Sequence, residues 1–173
     1  MIHTLRRTAL GAGLAVVTAL AGCSSSGGGD GSSSSGGPTS SAGGDTANAA
    51  TTKAIKHAYT VFFNSRETTA HAVASLQHGS KFRSSIISEG KSNYGKQKTV
   101  ATVSSVKLIR PKLADVAFTV KVAGHTVLPD SHGFAVREGG KWRVAAKTYC
   151  SLLTLEGTAP PVCKNKSITA LPG

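Results

Sequence analysis

Acidic residues and aromatic residues are both scarce in this chain of 173 residues. Eight Asp and Glu stand against 20 Lys and Arg, so the formal net charge is +12, and only 5% of the residues are aromatic. A basic chain favours anionic surfaces such as lipid headgroups, wall polymers or nucleic acid. Here the basic residues are scattered singly and are not clustered with stacking aromatics, as they are in proteins that bind single strands. We therefore expect no nucleic-acid partner.

The sequence also lacks the spacings that indicate metal or hydrolase sites. It has no Cys-x-x-Cys or His-x-x-x-His spacing to support zinc. The folded part has no G-x-S-x-G or phosphate-cradling glycine motif. Pro129–Gly133 contains Asp, Ser and His side by side, but sequence neighbours cannot align as nucleophile, base and orienting group, so the segment is predicted to be a turn. We expect no metal, no cofactor and no catalysis.

The N-terminus carries an export signal that is too short to span a membrane. Two arginines precede Ala9–Ala21, an uncharged stretch of 13 residues, whereas a span needs roughly 20 apolar residues. The next cysteine completes Leu20-Ala21-Gly22-Cys23, which resembles the bacterial lipobox. That resemblance implies a diacylglyceryl thioether on Cys23, cleavage before it and an acylated new N-terminus. The predicted location is the extracytoplasmic face of the cell membrane, with the lipid anchor as the membrane contact.

Two alternatives remain open at this end of the chain. One alternative to lipidation is an ordinary secreted protein in which Cys23 is incidental. The export route is also open, because Arg6-Arg7 is compatible with both the general secretory and the twin-arginine systems. Removal of the leader takes both arginines with it and leaves 18 basic and 8 acidic residues, a net charge of +10.

Composition divides the chain into four segments. Residues 1–22 are predicted to be a lipoprotein signal peptide. Residues 23–49 are predicted to be the lipidated cysteine and a disordered linker, because 9 of the 27 residues from 24 to 50 are Ser and 8 are Gly. Residues 50–163 are predicted to form one α+β domain, and residues 164–173 a flexible tail.

The remaining two cysteines, Cys150 and Cys163, form an even pair in an oxidising compartment, which predicts a disulfide. The alternative is two free thiols. A closed loop of this size contributes about 3 kcal/mol in the chain-entropy model.

The first half of the domain has helical periodicity. A first helix is predicted to start at Thr51 or Thr52 and to end at Asn64-Ser65, with one apolar stripe formed by Ile55, Ala58, Tyr59, Phe62 and Phe63. A second is predicted from Thr68 to Gln77. A third is predicted from Ser80, with Phe82, Ile86 and Ile87 on one face, and with Gly90 or Gly95 as its end.

The second half has a period of two. Apolar residues alternate with others from Ala114 to Val122, which predicts a half-buried strand. In the preceding strand, 99–109, the spacing of the apolar residues slips by one position, which predicts a bulge at Ser104-Ser105. Arg110-Pro111-Lys112 is the predicted turn between them.

The last hairpin has two possible registers. A two-residue Gly139-Gly140 loop pairs Val136 with Arg143. A three-residue loop that also includes Glu138 pairs Val136 with Trp142 and places all large apolar side chains on one face. We predict the three-residue loop. The whole prediction is an α+β fold, with three N-terminal helices packed on a curved antiparallel sheet of four to five strands.

The order of these segments resembles a known family. A Tyr-Phe-rich helix is followed by Val116–Val120, Gly133–Val136, Gly140–Val144 and the paired cysteines of Thr148–Leu153 and Pro160–Cys163. This order is similar to the C-terminal domain of the low-molecular-weight antigen family of actinobacterial lipoproteins. The resemblance covers residues 50 to 163, together with the lipobox and the spacer. It implies a nuclear-transport-factor-2-like cone, but no settled activity.

Such cones can hold a pocket between helices and sheet, and the candidate lining residues are Tyr59, Phe62, Phe118 and Trp142. The predicted inward rows of the strands contain no ionisable side chain, and Asp115 is expected on the opposite face beside Lys107 or Arg143. The leading hypothesis is a non-catalytic domain that binds an envelope protein, a wall polymer or a hydrophobic small molecule. The alternatives are an isomerase- or dehydratase-like enzyme that uses Tyr59, and electrostatic docking to anionic envelope polymers.

Overall fold

The computed structural model describes residues 47–93 and 95–173. Cys23, the signal peptide and residues 23–46 of the expected linker lie outside the described residues. The described part is an α+β domain, as predicted, with four antiparallel strands in the order β1-β2-β3-β4. The strands are β1 (Thr99–Arg110), β2 (Leu113–Val122), β3 (His125–Glu138) and β4 (Lys141–Val144). The helices are α1 (Ala49–Phe62), α2 (Thr69–Ala74), α3 (Arg83–Lys91), α4 (Ala146–Leu155) and α5 (Lys166–Thr169).

The start of the α1 helix is capped by Asn48 and not by a threonine. The Asn48 side chain accepts a hydrogen bond from the backbone N–H of Thr51 at 2.8 Å, which satisfies one of the donors that a helix start leaves free. The predicted apolar stripe is confirmed at Ile55, Ala58 and Tyr59, which are buried. This stripe packs the helix against the inner face of the sheet.

The strand pattern of β2 is confirmed in detail. Its inner row is buried at every position, namely Ala114, Val116, Phe118, Val120 and Val122. The bulge in β1 is also where the sequence placed it, because the register with β2 shifts between Val103 and Ser105. Asp115 lies on the outer face as expected, but its partner is His132, whose Nδ1 is 3.1 Å from the carboxylate.

The hairpin register was predicted incorrectly. The structure pairs Val136 with Arg143 and Glu138 with Lys141, so the loop has two residues. Both loop glycines, Gly139 and Gly140, have positive φ, as the tight hairpin turn with a right-handed twist requires. The prediction failed because it assumed that only one face of the sheet is apolar. Val136 instead belongs to a second buried cluster on the outer face, with Leu113 and Ala145.

The C-terminal segment forms that second cover. The last ten residues were expected to be a flexible tail, but Leu171 packs against the outer cluster and Ile168 packs against the main core. Two backbone carbonyls of this segment also accept hydrogen bonds from the domain, at Ala170 from Gln77 and at Pro172 from Arg110. An apolar outer face therefore becomes stable because the chain returns to cover it.

Two local predictions also need correction. The second helix ends at Ala74 and not at Gln77, because the following residues bond to the edge of β4, with Val144 donating to Ser75 and Gln77 donating to Val144. The Pro129–Gly133 segment is not a turn but part of β3. There the register with β2 is irregular and Asp130 has a φ of 37°, which indicates a bulged strand.

The helix α4 was not predicted, although its buried residues Ala146, Tyr149, Cys150 and Leu153 recur at helical spacing. The predicted disulfide is present between Cys150 in α4 and Cys163 in the 3₁₀ turn Pro161–Lys164, with a Cα–Cα distance of 5.5 Å. It fixes α4 to the segment that follows it.

Candidate functional site

A cavity of about 400 Å³ lies between the helices and the inner face of the sheet. Its volume is in the range of sites for small organic ligands. Its walls are mostly aliphatic and aromatic, and its apolar side chains come from the helices α1 to α4 and from the strands β2 and β3. They include Phe62, Phe63, Ile86, Val120, Val122, Val127, Leu128, Tyr149, Leu152, Leu153 and Leu155. We call this space the inner cavity.

The aromatic wall of the inner cavity is held by edge-to-face ring contacts. The rings of Phe62 and Tyr149 are 5.1 Å apart at 84°, and those of Phe62 and Phe63 are 5.1 Å apart at 86°. Such geometry suits the quadrupoles of the rings and fixes their orientation. The wall is therefore preformed in the domain.

The rim of the inner cavity exposes apolar side chains to water. Leu155 is 77% exposed and Val127 is 46% exposed, and both line the opening. They belong to two different elements, α4 and β3. Single exposed apolar residues are ordinary, but two at the mouth of an apolar cavity extend the apolar surface outwards.

Four titratable side chains line the inner cavity in the described part of the chain: Glu67, Glu89, Tyr149 and Glu156. Burial raises the pKa of Glu89 above its ordinary value. The pKa of Glu156 is raised as well, first by partial desolvation of its carboxyl group and then by the nearby charge of Glu89. Glu67 differs from these two, because its carboxylate is within hydrogen-bond distance of Nδ1 of His71, at 2.8 Å. The inner cavity therefore has two acids whose charge is not balanced by a basic partner in the described residues.

Tyr149 brings an unused hydrogen-bonding group to the same place. The residue is 6% exposed, and its hydroxyl has no hydrogen-bond partner among the described residues. Burial raises its pKa first of all, and the charges of Glu89 and Glu156 raise it further. The hydroxyl is therefore within electrostatic reach of both carboxylates.

Tyr59 was the sequence's candidate for a functional tyrosine, and the structure places it in the core. Its side chain is fully buried, and its hydroxyl donates to the carbonyl oxygen of Phe134 at 3.1 Å. Burial raises the pKa of this hydroxyl. Thr148 binds both backbone groups of Phe134, because its hydroxyl accepts from the N–H at 2.7 Å and donates to the carbonyl oxygen at 3.4 Å.

The four predicted lining residues do not come together in one site. Phe62 lines the inner cavity. Phe118 is buried against Tyr59, with ring centroids 5.1 Å apart, so both lie in the core. Trp142 is half-buried in a separate groove between α1 and β4. Sequence reasoning missed Glu89, Tyr149 and Glu156, and the only available signal was the helical spacing of α4.

The described residues contain no group of three or more His, Cys, Asp or Glu side chains that is arranged to hold a metal ion. Within that same part of the chain, every helix is too short or too polar to cross a bilayer.

Comparison with known proteins identifies a family. No curated protein and no solved structure matches the chain. The family described as low molecular weight antigen MTB12, C-terminal domain, matches residues 38–160. The match includes the strands, the inner cavity's aromatic wall and α4, and it extends over more than half of the chain. The chain therefore belongs to the low molecular weight antigen MTB12 C-terminal domain family, as the order of its segments predicted.

Proposed function

We propose that this protein is a lipid-anchored binding protein on the extracytoplasmic face of the cell membrane, and that its domain holds a hydrophobic small molecule without transforming it. In this proposal the domain is a nuclear-transport-factor-2-like cone, and the inner cavity is the ligand site. The observation that carries it is a preformed apolar cavity of about 400 Å³ with an apolar rim. Burying a ligand's methylene groups there stabilises the complex by about 0.8 kcal/mol each.

The non-catalytic part of the proposal is supported by the position of Tyr59. Its hydroxyl is engaged by a backbone carbonyl in the core, and it does not line the inner cavity. A general acid or base must reach the substrate by a hydrogen bond, directly or through one water. An isomerase-like role for Tyr59 therefore has no route to a ligand in this cavity.

The anchor is supported by the sequence alone. Cys23 follows a basic and then apolar leader, and the intervening Ser- and Gly-rich segment is of a composition that separates a folded domain from its attachment point. Anchoring through Cys23 holds the inner cavity near a source of apolar molecules. This part of the proposal is independent of the cavity and is tested separately.

The cavity is tested by titrating the chain with a neutral fluorescent apolar probe, N-phenyl-naphthylamine. The chain carries Cys23→Ser, so that no attached lipid competes. We expect saturable binding that Leu152→Trp abolishes. Leu152 is a half-buried residue of the cavity wall, and the larger indole in its place would fill the space that the probe occupies. The matched control is Ile109→Trp, at an exposed position of β1 outside the cavity lining. Equal binding by both variants contradicts the proposal.

The anchor is tested in cells by an inhibitor of lipoprotein signal peptidase and by Cys23→Ala. We expect the untreated protein to partition with membranes and to begin at an acylated Cys23 by mass spectrometry. Inhibitor or substitution should leave the leader attached. Unchanged processing in both cases contradicts the anchor and leaves the cavity proposal standing.

A further inference from the structure

The charge of the inner cavity is opposite to the charge of the chain. The full sequence has 20 basic residues and 8 acidic ones. Six acidic residues lie in the described part, and three of them, Glu67, Glu89 and Glu156, line this one cavity. No Lys, Arg or His of the described residues lines it. An anionic ligand, such as a fatty acid, would meet only like charge there.

Among these acids, Glu89 and Glu156 are the ones without a basic partner in the described residues. Glu67 is already paired with His71. Glu89 is half-buried on α3, and Glu156 is exposed at the C-terminal end of α4. They thus approach the mouth of the cavity from two different helices, and a carboxylate in a partly apolar environment favours a nearby cation.

The Tyr149 hydroxyl is the second, independent sign of a ligand. It is a buried polar group without a hydrogen-bond partner in the described residues, and leaving such a group unpaired costs about 1–3 kcal/mol. Its oxygen can accept one hydrogen bond from a ligand, and the two carboxylates can accept others. An ammonium group has three N–H donors and no acceptor, so it matches these three acceptors in number and in kind.

Resting on the proposed function, we propose that the ligand of the inner cavity is a hydrophobic amine. Its apolar body packs against Phe62, Leu152 and Leu153, and its protonated amino group lies between Glu89, Glu156 and the Tyr149 hydroxyl. The charged head is then near the mouth, where Glu156 is exposed, and the apolar body is inside. Amphiphilic ligands bind with this division between an apolar body and a few fixed polar contacts.

The test compares three probes with the same chain and different heads: decylamine, decanol and decanoate. Each is titrated by calorimetry, below its micelle concentration and at neutral pH, into the full chain that carries Cys23→Ser. We expect decylamine to bind about tenfold more tightly than decanol, as one or two charge-assisted hydrogen bonds provide. Decanoate should bind most weakly because its carboxylate meets Glu89 and Glu156.

Variants assign the preference to the named residues. Glu89→Gln with Glu156→Gln should lower decylamine affinity about tenfold and leave decanol affinity unchanged. Tyr149→Phe should lower it about threefold, since one neutral hydrogen bond is lost. The matched control is Asp130→Asn, which removes an acidic charge from an exposed site outside the cavity lining. It should leave all three affinities unchanged, and circular dichroism verifies that each variant folds.

The outcomes separate the inference from the function on which it rests. If decanol and decanoate bind as tightly as decylamine, and Leu152→Trp blocks all three, the cavity is a hydrophobic site and the amine inference is wrong. If no probe binds, or if Leu152→Trp blocks none of them, the proposed function is wrong as well. Loss of decylamine preference in the Asp130→Asn control also overturns the inference, because the preference would then come from overall charge.

Discussion

The hydroxyl of Tyr59 lies 3.1 Å from the carbonyl oxygen of Phe134 and donates a hydrogen bond to it. This contact joins α1 to β3 through the core. Tyr149 is buried to a similar extent, but its hydroxyl has no such partner among the described residues. One tyrosine therefore stabilises the fold, and the other offers a hydrogen bond to a ligand.

Replacement of each tyrosine by phenylalanine should have different effects on stability. Tyr59→Phe should lower the free energy of unfolding by about 1 kcal/mol, the usual net value of a buried hydrogen bond. Tyr149→Phe should leave it unchanged or raise it, because an unpaired buried hydroxyl is removed. Urea denaturation of the two variants measures this difference. Equal losses would show that the Tyr149 hydroxyl is paired in the folded protein.

Gly133 should not tolerate a side chain. It lies in β3 opposite Val116, and a Cβ atom there would be 2.6 Å from Cγ2 of Thr148 and 2.9 Å from the Tyr59 hydroxyl oxygen. Gly133→Ala should therefore cost about 1–3 kcal/mol, as overpacking of a core does.

Gly90 provides the matched control for that substitution. It lies in α3, and a Cβ atom there meets nothing within 4 Å. Gly90→Ala should stabilise the protein by up to about 1 kcal/mol, because alanine is the better helix former. Thermal unfolding of both variants measures the contrast, and a stable Gly133→Ala protein would contradict the packing described.

The disulfide should hold the wall of the inner cavity in place. Cys150→Ser with Cys163→Ser should lower the free energy of unfolding by about 3 kcal/mol, since the unfolded chain gains the freedom of an open loop. The same change should weaken probe binding, because Leu152 and Leu153 follow Cys150 in α4. Unchanged binding with lowered stability would separate the disulfide from the cavity.

The cavity acids should make stability depend on pH. The folded-state pKa of Glu89 and of Glu156 is raised above the ordinary value of 4.5, so their protonated forms favour folding and this contribution is lost as the pH rises through the raised values. Glu89→Gln with Glu156→Gln should therefore unfold at a higher temperature than the parent at neutral pH. The difference should vanish below pH 4.5. A difference that is constant with pH would show that these carboxyls are not perturbed.

The sequence predicted the structure best for helices and strands that bury a single apolar face. The alternation in β2 predicted its buried row because that strand has one apolar face over most of its length, and the slip in β1 predicted the bulge beside Ser104. The α1 stripe was predictable for the same reason. These signals are local, so no knowledge of the distant chain was needed.

The rest depended on segments that meet only in the folded chain. Val136 was assigned to the inner face because nothing local indicates that Leu171 returns to cover the outer one. Glu89 and Glu156 are 67 positions apart in the sequence, and only the folded chain brings them to one cavity. The Tyr149 site was missed because α4 was not recognised from the sequence.

The central claim, that the inner cavity takes an apolar ligand, is tested most directly by nuclear Overhauser effects between bound decanol and the ¹³C-labelled full chain carrying Cys23→Ser. We predict cross-peaks from the decanol methylenes to the ring protons of Phe62 and to the methyl groups of Leu152 and Leu153. Cross-peaks to the exposed Ile109 alone, or none at saturating decanol, would contradict the account.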